Sequence, residues 1–316
     1  MIHEYAFTER GEVERGFAEV FHQKIVPILK NRETEQIRRR RNLIVGAGGI
    51  GSFGVLAGFL VGMAQADTSN GFVIAAVGLV AAFGIAGYQQ SKWRDGLGSE
   101  ILPIVARFLG DMVYGREEIS LHDFDDRGLL PRYTISELED PIAGEHKGLS
   151  WAAVEARLSV RRGRRGGRRT VFRGLLMRIE IFGPAPQILM VPRGSAALTW
   201  LSELFSSTRD SDQRLETGIA PFDARVITYA RDPEAARGFV NERFAFGLLE
   251  IGRSISTRPV AAGMQGKWLY LAIPHRRDFL SLGSLWTPVQ RIEEDLHRVI
   301  EELTLPRRVI DMLSGR

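Results

Sequence analysis

Residues 43–63 read LIVGAGGIGSFGVLAGFLVGM, an apolar run without a charged residue. Near its start, Gly46, Gly48 and Gly51 have the spacing G-x-G-x-x-G, which is typical of a loop that binds the pyrophosphate of a dinucleotide. The same run has the length that a transmembrane helix needs, roughly 20 residues. The stretch therefore has two interpretations, a nucleotide-binding enzyme or a membrane protein, and its surroundings decide between them.

A dinucleotide-binding loop requires a strand before the glycines and a helix with a polar face after them. Residues 52–63 carry no charged side chain, although the surface helix of such a unit exposes one face to water. Asp67 follows at a workable distance for a ribose, but it lies in a polar turn and does not end an apolar strand. These features count against the enzyme interpretation.

A second apolar stretch, residues 71–88, supports the membrane interpretation. A charge at the centre of a span costs about 2.5–3.5 kcal/mol, and neither stretch contains Asp, Glu, Lys, Arg or His. The basic residues lie at the outer ends instead: Arg38, Arg39, Arg40 and Arg41 before the first stretch, and Lys92 and Arg94 after the second. The turn between the stretches has no Lys or Arg, so the positive-inside rule places both termini in the cytoplasm.

We therefore expect a multi-pass protein of the bacterial inner (cytoplasmic) membrane, in which these basic residues set the topology or contact acidic lipid. Small residues recur every four positions on both stretches: Gly54, Gly58 and Gly62 on the first, and Gly78, Ala82 and Ala86 on the second. Such spacing lets two helix backbones approach closely in lipid. The sequence thus predicts that these residues pack the two helices of a hairpin.

Composition bounds the remainder of the chain. It has 316 residues, a net charge of +4 and no cysteine, which excludes disulfides and thiolate metal sites. We predict an N-terminal amphipathic helix over 1–42, the hairpin over 43–88 and a cytoplasmic domain over 89–316. The basic balance favours acidic lipid headgroups or another anionic partner.

Helical periodicity extends over residues 5–41, with Pro27 expected to kink or break the helix, and again over 102–114. The polar segment 122–128 contains a histidine and three aspartates but lacks the order of a calcium loop, so we interpret it as a solvated loop.

Strand-like patterns begin at Tyr133. The predicted strands are residues 151–160, 170–182, 187–191, 224–229, 258–262 and 267–273. The predicted helices are residues 196–205, 233–251 with Asp232 as N-cap, and 289–303, after which Pro306 precedes a short terminal turn. This order predicts an α+β fold, in which an N-terminal helix and a two-helix transmembrane hairpin precede a cytoplasmic domain with a mainly antiparallel sheet.

An arginine-rich loop separates two of the predicted strands. Its basic residues are Arg161, Arg162, Arg164, Arg165, Arg168 and Arg169. No aromatic residue lies among them for stacking on bases, so nucleic acid is not the expected partner. The loop could contact acidic lipid or a protein partner, or it could simply be solvated.

Several segments resemble a bacterial family known as domain of unknown function 3137. They are residues 21–27, 170–176, 222–236 and 268–273 followed by Asp278-Phe279. The segment 182–186 and the arginine-rich loop depart from the family pattern. The resemblance implies a two-helix membrane anchor and a cytoplasmic domain, and it carries no established activity.

No catalytic motif is present in the sequence, and none of the six histidines stands in a recognised constellation. We expect no cofactor and no metal site, and we expect Arg173 to form a surface ion pair. The favoured hypothesis is a membrane-anchored interaction or scaffold module that binds a protein partner or acidic lipid, with a homo-oligomer left open. The alternatives are a membrane-associated enzyme of unrecognised class and a dinucleotide-binding oxidoreductase that uses Gly46, Gly48 and Gly51.

Overall fold

The structure is a computed structural model that describes residues 5–65, 68–161, 167–193, 213–255, 260–275 and 277–314. The chain divides into two compact units. The first contains Met1–Phe108 and Leu280–Glu301, and the second contains Leu109–Phe279 and Glu302–Arg316. Long helices come first and an antiparallel sheet follows, as the sequence predicts for an α+β protein.

The first unit is helical, and its two longest helices follow each other directly. Its elements are a 3-10 turn at Glu12–Glu14, α1 at Phe17–Val20, a π-helical turn at Phe21–Ile25, α2 at Val26–Gln65, α3 at Thr68–Leu109, a 3-10 turn at Val289–Arg291 and α8 at Glu293–Leu303. Within α2 and α3 lie two apolar stretches long enough to cross a membrane.

Aromatic rings hold the base of this unit together. The ring of Phe17 lies 4.9 Å from the ring of Phe7 and 4.9 Å from that of Phe108. Phe7 in turn stacks on His297 of α8 with a centroid distance of 4.5 Å. The N-terminal segment, the end of α3 and α8 therefore share one core.

Pro27 does not break the N-terminal helix. Helical structure continues without interruption from Phe17 to Gln65, past Pro27. Proline lacks the N–H that the α-helical ladder uses, and the π-helical turn lies immediately before it. The helix type changes at this wider turn, and the helix is not broken at Pro27.

The second unit is built on a seven-stranded sheet. Its strands are β1 (Met112–Tyr114), β2 (Ile135–His146), β3 (Leu149–Arg161), β4 (Arg168–Pro192), β5 (Gln213–Leu215), β6 (Val226–Ala230) and β7 (Ala261–Pro274). The order is β1-β2-β3-β4-β6-β5, with β7 also paired to β4, and every pairing is antiparallel. The predicted antiparallel sheet is confirmed.

Two pairs of predicted strands are each one strand. Residues 170–182 and 187–191 both belong to β4, which continues through irregular pairing between Glu180 and Ile188. Residues 263–266, between the predicted strands 258–262 and 267–273, lie within β7. Gly266 pairs there with Ala185 in the irregular region. A long strand with an irregularity has the same glycine and proline punctuation as a turn.

The helices described in the second unit are all shorter than those of the hairpin. They are α4 (Leu121–Asp125), α5 (Ala220–Asp223), α6 (Pro233–Arg237), α7 (Glu242–Ser254) and α9 (Leu305–Ser314). The predicted helix 233–251 is divided because Asn241 caps a new helix by accepting a hydrogen bond from the N–H of Phe244 at 3.0 Å. The N-cap role of Asp232 is confirmed.

The helix predicted over 102–114 ends at Leu109. Gly110 and Asp111 adopt left-handed backbone angles, with φ of 69° and 50°, which terminate the helix. Residues 112–114 then pair with β2.

The segment 122–128 and the C-terminal segment also differ from the prediction. Phe124, in the predicted solvated loop, is buried with its ring 5.3 Å from that of Tyr270. Pro306 stands in the first turn of α9, where proline is tolerated, so the chain ends in a full helix instead of a short turn. The predicted helix 196–205 and the strand residues Arg258 and Pro259 lie outside the described residues.

Candidate functional site

The apolar hairpin formed by α2 and α3 exposes its hydrophobic side chains. Only 17% of the most apolar window of the first helix and 6% of that of the second are buried. Phe53, Phe72 and Phe83 are 73%, 76% and 76% exposed. A soluble protein rarely exposes a contiguous apolar surface of this kind, which is typical of contact with a membrane or a partner.

Glycines bring the two helix backbones into contact. A Cβ placed on Gly54 would lie 2.8 Å from the Cα of Gly78, and one on Gly58 would overlap the carbonyl oxygen of Gly71. A Cβ on Gly71 would lie 3.2 Å from the Cα of Gly62. The structure thus brings Gly54, Gly58, Gly62 and Gly78 to the helix contact. The Cβ of Ala82 also lies 3.7 Å from the position of a Cβ on Gly51, and Ala82 and Ala86 both line a groove beside the glycine contacts.

The basic residues at the base of the hairpin have different surroundings. Arg38, Arg41 and Lys92 are exposed, as is Arg40, whose guanidinium lies 5.9 Å from the ring centroid of Trp286. Two others are engaged within the unit. Arg39 pairs with Glu35 at 2.6 Å, and Arg94 donates a hydrogen bond to the Ser281 hydroxyl at 2.9 Å.

Residues 280–291 pack against the base of the hairpin, which the sequence analysis did not predict. The buried side chain of Gln36 donates hydrogen bonds to the carbonyl oxygens of Ser284 and Thr287, each at 2.7 Å. Gln90 accepts a hydrogen bond from the N–H of Leu285 at 3.0 Å. These contacts place Trp286 beside the ends of the apolar stretches near Leu43 and Ala86.

The glycines of the dinucleotide-like motif lie inside α2. Residues 43–52 are helical throughout, so Gly46, Gly48 and Gly51 form no loop between a strand and a helix. The N–H groups that would bind a pyrophosphate are part of the helix ladder here. The motif is a coincidence of spacing within an apolar helix, and the dinucleotide-binding interpretation is wrong in its structural context.

The arginine-rich loop is only partly described. Arg161 is the last residue of β3 and Arg169 is the second residue of β4, and both are exposed. Arg168 pairs with Glu137 at 2.7 Å on the surface. Arg162, Arg164 and Arg165 lie outside the described residues.

A cluster of ionisable groups lies within the second unit, on β2, β3 and β4. Arg173 contacts Glu155 through Nε at 3.1 Å and Asp278 through Nη2 at 2.6 Å. Glu155 is 4% exposed and also accepts a hydrogen bond from the N–H of Phe279 at 2.6 Å. Burial raises the pKa of Glu155, and the hydrogen bonds from Phe279 and Arg173 oppose that shift.

Asp140 adds an unusual carboxyl group to this cluster. It lies where the pairing of β2 and β3 shifts register, with a left-handed φ of 52°, and it accepts a hydrogen bond from the Tyr114 hydroxyl at 2.5 Å. Burial raises the pKa of Asp140 to about 7, and the negative charges of Glu155, Glu139 and Asp278 act in the same direction. The protonated form is therefore stabilised near neutral pH.

Part of the second unit and the C-terminal residues match a known family model. The family model described as "Protein of unknown function (DUF3137)" matches residues 170–314. The matched residues are somewhat less than half of the chain and include nearly all of β4, together with β6, β7 and the C-terminal helices. The family predicted from the sequence is thus confirmed.

No curated protein matches the chain. Among solved structures, the crystal structure of the mycobacterial trehalose monomycolate transport factor A is similar at 12% identity and a TM-score of 0.32. The match covers 68% of this chain and 97% of that one. A TM-score this low carries no argument about fold or function.

The matched DUF3137 region contains Arg173 and Asp278, whereas Asp140 and Glu155 precede it. The sequence predicts a surface pair for Arg173, whereas the structure places it in a partly buried cluster. Arginine in a strand flanked by apolar residues was the only signal. Its partners lie 18 and 105 residues away, so the sequence could not indicate them.

The histidines that the structure describes form no shared site. His297 lies 2.6 Å from Glu14, His146 lies 2.9 Å from Asp311, and His275 contacts the carbonyl oxygen of Arg277 at 3.0 Å. Among the residues that the structure describes, no group of three or more His, Asp or Glu side chains could hold a metal ion.

Proposed function

We propose that this chain is an integral membrane protein whose helical hairpin crosses the bilayer twice and whose sheet unit is an interaction module on the cytoplasmic side. One observation carries the proposal: the most apolar window of each hairpin helix is almost unburied within the protein. In water, exposing that surface is unfavourable by roughly 25 cal/mol for each Å². In a bilayer the same surface contacts lipid, and the helices satisfy their own backbone hydrogen bonds.

The distribution of charge supports the orientation. Four consecutive arginines, Arg38–Arg41, precede the first span, and Lys92 and Arg94 follow the second. Basic residues next to a span remain preferentially in the cytoplasm. The chain before residue 43 and the chain after residue 88 would then both be cytoplasmic.

The proposed role of the sheet unit is to bind an acidic lipid surface or an acidic protein partner. Its support is the basic balance of the chain and the exposed arginines at the ends of β3 and β4, Arg161 and Arg169. A surface of this kind attracts anions over about one Debye length, near 8 Å at physiological ionic strength.

Alkaline extraction and thiol labelling test the membrane part of this proposal. The protein should stay in the membrane pellet at alkaline pH and require detergent for release. Because the chain has no cysteine, Ser69→Cys at the start of α3 and Ser150→Cys in the sheet unit can each be labelled selectively. An impermeant maleimide should reach position 69 on intact cells and position 150 only after permeabilisation. Release into buffer, or the reverse labelling pattern, would overturn it.

Photo-crosslinking tests the interaction part. A photoreactive residue at position 169 should give a discrete adduct with either a protein or an acidic lipid in native membranes. The control is position 253, an exposed arginine on α7 of the same unit. Adducts at position 169 that do not exceed those at position 253 would contradict the interaction role.

A further inference from the structure

An apolar groove runs along one side of the hairpin. Its volume is about 800 Å³, and both helices contribute to its walls. Gly48 and Gly51 of α2 line it opposite Ala82 and Phe83 of α3, and Trp286 stands at one end. The residues that line the groove are apolar or glycine, except Ser52, which contributes a hydroxyl group.

The glycine at position 48 helps to keep the groove open. A Cβ on Gly48 would meet no atom within 4 Å, so this glycine is not needed for contact between α2 and α3. The hairpin contact uses Gly54, Gly58 and Gly78 instead, further along the helices. Gly48 therefore leaves space that a larger side chain would fill.

The end of the groove at Trp286 carries positive charge. Arg40 lies one helical turn before Ile44, which also lines the groove, so its side chain belongs to the same helix face. Arg40 forms no ion pair with any residue that the structure describes, whereas its neighbour Arg39 is paired with Glu35. Its guanidinium can therefore bind an anion at this end of the groove, next to the indole ring of Trp286.

We infer that this groove binds one acyl chain of an anionic phospholipid, whose phosphate lies against Arg40 and Trp286. The inference rests on the proposed membrane insertion. At 1.5 Å per residue, the groove contacts α3 over roughly 10 Å, from Ala86 to Leu79, and α2 over roughly 24 Å, from Leu43 to Phe59. A leaflet of the hydrocarbon core is about 15 Å deep, so a chain that starts at the headgroup level fits this depth.

Charge selects lipid over a second copy of the hairpin. A second copy in the same topology would bring its own Arg38–Arg41 to the level of Arg40, and like charges repel. An anionic headgroup is complementary to the same guanidinium. Tryptophan beside arginine at the membrane interface also suits a lipid phosphate, because the indole lies at headgroup level.

Native mass spectrometry of the full-length protein, released from detergent micelles, tests the inference. The probes are phosphatidylglycerol and phosphatidylcholine with identical acyl chains. One basic side chain contributes about fivefold to binding of anionic lipid, so the wild type should bind phosphatidylglycerol about fivefold more tightly. Arg40→Gln should remove this preference. Arg38→Gln is the control, because it removes the same charge from the opposite face of the helix. This variant should keep the preference for phosphatidylglycerol.

Filling the groove gives an independent test. Gly48→Leu should lose the bound lipid, while Gly46→Leu is the matched control because it too meets nothing within 4 Å but does not line the groove. Equal binding by the two leucine variants would overturn the inference. So would a dimer in wild-type protein that Gly48→Leu disrupts while lipid binding stays unchanged, since a second copy would then occupy the groove.

Failure of the proposed function is separately visible. If membrane insertion is wrong, alkaline extraction releases the wild type and neither lipid binds it. If only the groove is wrong, the wild type stays in the membrane pellet and the leucine variants bind lipid alike.

Discussion

Gly54 and Gly78 touch backbone to backbone across the hairpin, with the Cα of Gly78 only 2.8 Å from the position of a Cβ on Gly54. No other residue type could stand at either position without separating the helices. The contact sets the register of α2 against α3 and so determines which residues of the two helices face each other. That register can be tested with disulfides.

A cysteine pair at Gly51 and Ala82 should form a disulfide. The Cβ atoms at these positions are 3.7 Å apart, within the range of about 3.5–4.5 Å that disulfides require. Mild oxidant in isolated membranes should consume both thiols of Gly51→Cys/Ala82→Cys, as measured by a maleimide gel shift. Gly46→Cys/Ala82→Cys is the control and should keep its thiols. Similar loss of thiols in both pairs would show that the register is different.

Arg173→Met should destabilise the sheet unit by about 3 kcal/mol, because Glu155 and Asp278 would lose their shared counter-charge in a largely buried setting. The unfolding free energy would come from denaturant titration of the detergent-solubilised protein. On the same strand, Arg168→Met breaks a pair with Glu137 in which both side chains are 38% exposed, so its effect should stay below about 1 kcal/mol. Equal losses for the two variants would argue against a structural role for the cluster.

Stability should fall as the pH rises towards neutrality, in part through Asp140. The pKa of Asp140 is raised from 3.8 to about 7, so between these values the folded protein holds a proton that the unfolded chain releases. The unfolding free energy then decreases as the pH rises through this window. Asp140→Asn should weaken this decrease.

The measurement compares denaturation midpoints at about pH 5 and about pH 8 for the wild type and Asp140→Asn. Other titrating groups affect both proteins, so the difference reports on Asp140. Parallel pH profiles would mean that Asp140 titrates with the same pKa in the folded and unfolded states.

Gln36→Leu should release residues 280–291 from the base of the hairpin. The substitution leaves the carbonyl oxygens of Ser284 and Thr287 without this donor, at a cost of about 1–3 kcal/mol. Trypsin should then cleave after the exposed Arg291 faster than in the wild type. Gln23→Leu removes an exposed hydrogen bond to Glu19 and should not change this rate. An unchanged cleavage rate in Gln36→Leu would show that these hydrogen bonds do not hold residues 280–291 in place.

Local pattern alone predicted much of the secondary structure. Strands β3, β6 and the start of β4 follow from runs of apolar and β-branched residues, and the cap at Asp232 follows from an aspartate before proline. Errors arose where a signal has two meanings. Gly266 and Pro27 were read as a turn and a helix break, whereas pairing with Ala185 and a preceding π-helical turn accommodate them.

By itself, the sequence determined the two apolar helices, the α+β class and the family, because length, charge distribution and hydrophobic period act through neighbouring residues. Only the tertiary structure decided which glycines touch, that residues 280–291 close the base of the hairpin, and that Asp140, Glu155, Arg173 and Asp278 share one cluster. The physical reason is distance along the chain. Contacts between residues far apart in sequence depend on strand pairing and helix register, and no local pattern encodes those.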